Sequence, residues 1–189
     1  MEDNEKTPGW LRDLPNQLTL FRIAVIPLLL FLYPLNFSSL RLFCAFLFTF
    51  AAMTDWLDGF IARRFKVESK LGALLDPVAD KMLTASALVL VSHSQAIWAW
   101  MAGVLLCREI AMSGVRMMAQ QEGIPIKVSI LGKWKTLLLD VALVCLLVNY
   151  PLFGWPFREV GMISIWISLA LSLFSAWLYI KEFWKKYNI

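Results

Sequence analysis

LRLFCAFLFTFAAMTDWLDGFIARRFK, residues 40–66, begins as an apolar run and ends in carboxylates followed by basic side chains. No residue from Leu42 to Thr54 is charged; Asp55 and Asp58 then interrupt the run, and Arg63, Arg64 and Lys66 close it. Crossing the hydrocarbon core of a bilayer takes about 20 apolar residues in a helix. The stretch therefore reads as a membrane helix over about Leu40–Ile61, with its polar end at one surface. Comparable runs occupy Leu18–Leu35, Asp76–Val91, Ile97–Met118, Ile130–Val148 and Val160–Ile180. They are separated by turn-forming segments such as Tyr33-Pro34-Leu35-Asn36, Ser92-His93-Ser94-Gln95 and Asn149-Tyr150-Pro151.

Composition agrees with this reading. Of the 189 residues, 59% are hydrophobic and mean hydropathy is +0.64, against about half apolar in soluble domains. The short alternating segments of a β-barrel are absent. The expected fold is an all-α integral membrane protein with six transmembrane helices and a short N-terminal interfacial segment. Residues 1–17 form that cytoplasmic or interfacial segment, with Trp10, Leu11 and Leu14 at headgroup depth. Residues 18–189 form the six-helix membrane domain. Met1–Lys6 lacks the basic start and cleavage site of a signal peptide, so the first hydrophobic helix is expected to remain as an anchor.

The basic residues set the expected orientation. Arg41 and Arg158 fall on one face of the six-span arrangement, and the other sixteen of the 18 fall on the opposite face. The positive-inside rule makes the richer face cytoplasmic, with both termini there. Trp98 and Trp100 suit one interfacial belt, Trp184 and Tyr187 the other. The net charge of +4 follows from this bias and calls for no nucleic acid as partner, while anionic membrane lipids suit it.

Cys44, Cys107 and Cys145 are far apart in apolar runs, and His93 has no Cys or His near it in sequence. Zinc chemistry and a Ser-His-Asp triad are poorly supported. Chemistry falls to carboxylates. Asp55 and Asp58 share one helix face by their i, i+3 spacing; Asp76 and Asp80 share another by i, i+4. A charged residue inside a membrane helix is costly and marks a cavity or a partner. Four such carboxylates at one interface would repel one another unless hard cations join them, and an all-oxygen set suits Mg²⁺, Mn²⁺ or Ca²⁺, two ions being natural for four acids. The alternative is that they are interfacial residues paired with Arg63, Arg64, Lys70 and Lys81. The residues between fit a phosphate ligand: Gly59 and Ala62 are small, Arg63 carries a planar fork, and Gly72 opens the backbone. Pro77 either starts the third helix at its first position or lies in one begun earlier.

Written out, Asp55-x-x-Asp58-Gly59-x-x-Ala62-Arg63, eight residues, Gly72, three, Asp76, three, Asp80 resembles the signature of the CDP-alcohol phosphotransferase family at every fixed position. The resemblance implies six transmembrane helices, a homodimer, a cytoplasm-facing cavity and, usually, two divalent metals. It implies Asp55, Asp58, Asp76 and Asp80 as metal ligands (Mg²⁺ or Mn²⁺) and Asp80 also as catalytic base. It implies Gly59, Ala62, Arg63 and Gly72, with Asn16 and Thr19, as contacts to the CDP-lipid.

Three further segments resemble the bacterial branch of the family whose acceptor is glycerol 3-phosphate and whose donor is CDP-diacylglycerol: Pro15–Arg22, Arg108-Glu109-Ile110 with Ser113 and Arg116, and Gly132-Lys133-Trp134-Lys135-Thr136. That implies the bacterial cytoplasmic membrane as location. Arg108, Arg116, Lys133 and Lys135 are then candidates for the acceptor phosphate, although Lys133 and Lys135 share a face only if the helix is irregular. Asp140 departs from the family pattern, in which Gln is common near this point. Inositol phosphate, serine or phosphatidylglycerol stay open as acceptors. A cation transporter is the reading from a different class, and the lack of polar residues through the outer halves of the spans counts against it.

Overall fold

The computed structural model describes residues 9–65, 70–123, 130–152 and 154–187; side chains of residues 9–16, 55–65, 70–74, 130–131 and 133 lie outside the description. Six long helices account for nearly all of it: α1 (Gly9–Leu32), α2 (Ser38–Phe65), α3 (Lys70–His93), α4 (Ala99–Gln121), α5 (Ile130–Val148) and α6 (Phe157–Tyr187). Among the described residues the only β feature is one isolated bridge, Leu152 to Trp155, in the turn before α6. The all-α expectation holds. By length and composition, Gln17–Leu35 and Phe157–Tyr187 are apolar enough to cross a membrane, and Ser38–Thr54 is a shorter apolar helix.

Except for α5, each helix extends past its expected apolar span at one end or both. α1 runs through Pro15 without a break between an interfacial segment and the first span. α3 starts at Lys70, so Pro77 lies inside it and does not open it. Lacking an N–H, Pro77 leaves the carbonyl of Ala73 without its helical donor. The turns are set by left-handed residues at Asn36 (φ 63°), Gln95 (φ 55°), Asn149 (φ 55°), Gly123 (φ 64°) and Gly154 (φ 79°). All but Gln95 are the residue types that tolerate this region best.

The chain divides into two compact units at Leu90/Val91. In the first, α1 packs along α2. Val25, Leu29 and Tyr33 from α1 and the turn after it are buried, as are Cys44, Phe48 and Ala51 from α2. Phe21 meets Phe50 edge-on with centroids 5.7 Å apart.

In the second unit α6 packs on both α5 and α4. Its buried face combines a small, polar row, Gly161, Ser164, Ser168, Ser172 and Ser175, with the apolar Ile165, Leu169 and Phe183. Small residues let membrane helices approach closely. At Gly161 a Cβ would stand 2.7 Å from Leu146 Cγ, so no larger residue fits without displacing that side chain. Aromatic side chains cluster within this unit. Trp98 stacks on Trp100 at 6.4 Å and both meet Trp166. Phe183, Trp184 and Tyr187 group near the end of α6.

Candidate active site

The last turns of α2 carry Asp55, Asp58, Gly59, Ala62 and Arg63, and the first three turns of α3 carry Gly72, Asp76 and Asp80. Because both segments are continuous helix, each aspartate pair shares one face of its own helix. The side chains of Asp55, Asp58, Gly59, Ala62, Arg63 and Gly72 lie outside the described residues, as does that of Asn16.

Asp76 is held in place. Arg22 of α1, with its side chain at 0% exposure, makes an ion pair with Asp76 Oδ1. Thr19, one turn earlier on α1 and buried, donates its hydroxyl to the same oxygen at 3.3 Å. Thr19, expected at the CDP-lipid, is thus tied to a carboxylate of the signature. Among the described residues Asp76 Oδ2 accepts no hydrogen bond. The carboxylate is 35% exposed, and Asp80, one turn on, is half-buried. Two carboxylates one turn apart, the first 35% exposed and oriented by a buried cation, fit the hard-oxygen donor set of Mg²⁺ or Mn²⁺. Among the described residues no three His, Cys, Asp or Glu side chains converge; the two aspartates of α2 are outside that search.

A second polar cluster lies in the other unit, where α4, α5 and α6 meet. Arg108 donates from Nε to the Ser172 carbonyl at 3.0 Å, from Nη2 to Ser175 Oγ at 2.8 Å, and from Nη1 to Glu109 Oε1 at 2.9 Å. Lys135, buried on α5, pairs with the same Glu109 oxygen. Ser168 Oγ donates to the Lys135 carbonyl at 2.9 Å, fixing α6 against α5.

Of the four cations expected at an acceptor phosphate, Arg108 and Lys135 are brought together. Arg116 is exposed two turns further along α4, and the Lys133 side chain lies outside the described residues. Since α5 is regular helix from Ile130 to Val148, positions 133 and 135 fall on different faces of it.

Two residues of these clusters, Arg22 and Glu109, were not singled out as site residues from the sequence. Arg22 is a charge inside the first apolar run, the same signal that picked out the aspartates. Glu109 stands between Arg108 and an apolar stretch and carries the signal more weakly.

Comparison with known proteins agrees with the signature. Residues 12–174 match the CDP-alcohol phosphatidyltransferase family model. Among curated relatives, a protein of Pectobacterium atrosepticum is 40% identical over 177 residues, 89% of this chain and 93% of its own length. One from Bacillus subtilis is 32% identical over 188 residues, covering 92% and 96%. One from Yersinia enterocolitica is 38% identical over 182 residues, covering 92% and 96%. Each is named CDP-diacylglycerol–glycerol-3-phosphate 3-phosphatidyltransferase. With the family model matched over most of its length, the chain belongs to the CDP-alcohol phosphatidyltransferase family.

Proposed function

We propose that this chain transfers the phosphatidyl group of CDP-diacylglycerol to glycerol 3-phosphate, releasing CMP and forming phosphatidylglycerophosphate, with Asp55, Asp58, Asp76 and Asp80 holding divalent metal. One observation carries the reading: a complete carboxylate signature on the end of α2 and the start of α3, in a chain aligned over nearly its full length with relatives named for this reaction.

Chain residues supply the following parts. Arg22 and Thr19 hold Asp76 through its Oδ1. Gly59, Ala62 and Gly72 let the donor approach the helices, with Arg63, Asn16 and Thr19 beside its polar head. Arg108 and Lys135, with Arg116 two turns along α4, receive the acceptor's phosphate. Asp80 takes the proton from the acceptor hydroxyl. The oxygen so released bonds to the phosphorus on the lipid side of the diphosphate, and the bond from that phosphorus to the CMP oxygen breaks. Divalent metal, when bound, offsets the diphosphate charge and stabilises departing CMP.

The same proposal places six helices across the bilayer. The shortest, α5, has 19 residues, or about 28 Å at 1.5 Å per residue. Large apolar side chains such as Phe31, Phe46, Met53, Ile110 and Ile163 are more than 60% exposed on the isolated chain, as lipid-facing residues are. Sixteen basic residues then lie on the cytoplasmic side of a bacterial inner membrane, with the active site and both termini, and the enzyme works as a homodimer.

The test is purified protein in detergent with CDP-diacylglycerol, Mg²⁺ or Mn²⁺, and each acceptor in turn, the lipid product being identified by mass. Phosphatidylglycerophosphate formed with glycerol 3-phosphate, and no lipid product from serine, inositol phosphate or phosphatidylglycerol, is the expected result. A product from one of those three alone would move the acceptor assignment.

A further inference from the structure

Arg108 and Lys135 are candidates for binding an anion, yet both are already engaged by the carboxylate of Glu109. We propose that Glu109 is a resident counter-ion for this cation pair, displaced when a phosphomonoester enters, so that the site admits phosphate-bearing acceptors and turns away neutral ones. The proposal rests on the reading that this cluster receives the acceptor.

The geometry separates what is fixed from what can be exchanged. Two of the three Arg108 hydrogen bonds, from Nε and Nη2, go to Ser172 and Ser175 of α6 and hold the guanidinium plane. Only Nη1 is turned to Glu109. The Lys135 stem is buried, and its backbone is pinned by Ser168, so the ammonium stays near its place whichever anion it meets. Glu109 is the most open member: its side chain is 27% exposed, against 11% for Arg108 and 8% for Lys135.

The energetics point the same way. Two largely buried cations with no anion between them would repel each other and bear an uncompensated desolvation cost. Glu109 removes that cost in the empty protein. The cluster still carries two positive charges against one negative, and a phosphate dianion satisfies it better than a monoanionic carboxylate. On entry, the phosphate oxygens take up Arg108 Nη1 and Lys135 Nζ, already positioned, and Glu109 swings to the open side. A neutral hydroxyl compound has no charge with which to replace the carboxylate. No covalent bond changes in this exchange.

Inorganic phosphate is the direct probe. Its affinity for the purified full-length protein is measured by calorimetry without CDP-lipid, and its competition with glycerol 3-phosphate is measured in the CMP-release assay. Glu109→Gln, which keeps the shape and removes the competing charge, should bind phosphate about tenfold tighter or more, with KM for glycerol 3-phosphate falling in step. Should Glu109→Gln not fold, Glu109→Asp, whose shorter reach loosens the hold on Lys135, should tighten phosphate binding by a smaller factor. Unchanged or weaker phosphate binding in a variant that keeps the wild-type thermal transition overturns the proposal and makes Glu109 a brace. Because the calorimetric measurement needs no turnover, tighter phosphate binding without any phosphatidylglycerophosphate would uphold the counter-ion and defeat only the acceptor assignment.

Discussion

Asp80→Asn should lower CMP release by about 10²–10⁴-fold, the range associated with a positioned general base. Asparagine matches aspartate in size and can accept a hydrogen bond, but its amide cannot take the acceptor's proton. Asp80 is half-buried on a helix that continues to His93, so the substitution should leave the thermal transition near that of the wild type. The loss should fall on kcat, with KM for glycerol 3-phosphate little changed, because the cations proposed for the acceptor phosphate lie elsewhere in the chain. A rate within threefold of wild type would remove Asp80 from the base role.

The second large effect concerns stability. Arg22 is fully buried and bridges α1 to Asp76 on α3, 54 positions along the chain. Arg22→Ala leaves a cavity and strips the carboxylate of its partner. Breaking a buried ion pair from one side costs about 3–5 kcal/mol; the lower end applies here because Asp76 stays 35% exposed. The thermal transition in detergent should drop accordingly, and activity should fall with it, since Asp76 loses its orientation. Arg22→Lys should recover part of the stability through charge alone, without the planar fork. An Arg22→Ala protein with unchanged transition and activity would show that the pair is neither a brace nor a positioning contact.

These two residues mark what sequence reading reaches and what it misses. Asp80 is legible because it belongs to a fixed spacing of small and acidic residues. The identity of Arg22's partner depends on where α1 meets α3, and no local pattern records a pairing across 54 positions. Helix existence is equally legible from apolar length, and the expected fifth span, Ile130–Val148, coincides with α5. The ends elsewhere are not. α6 continues to Tyr187 through Lys181, Lys185 and Lys186, and α3 begins six residues before Asp76. Once a helix is nucleated, each added residue gains a hydrogen bond at little cost, so polar residues prolong it beyond the apolar stretch. The i, i+4 pair of Lys186 with Glu182 at 2.9 Å supports that extension. Lys135 shows the opposite limit. Its charge on a membrane helix was readable, but the carboxylate that meets it, Glu109 on α4, emerges only from helix packing.

The most direct measurement is CMP release from protein stripped with a chelator and then titrated with Mn²⁺, with bound Mn²⁺ counted by electron paramagnetic resonance in the presence of CDP-diacylglycerol. The stripped protein should be inactive. Activity should return in proportion to Mn²⁺ bound, up to about two ions per chain, and Asp76→Asn should bind fewer and recover little. Full-rate CMP release from chelated protein with no Mn²⁺ bound would contradict a metal centre built on Asp55, Asp58, Asp76 and Asp80.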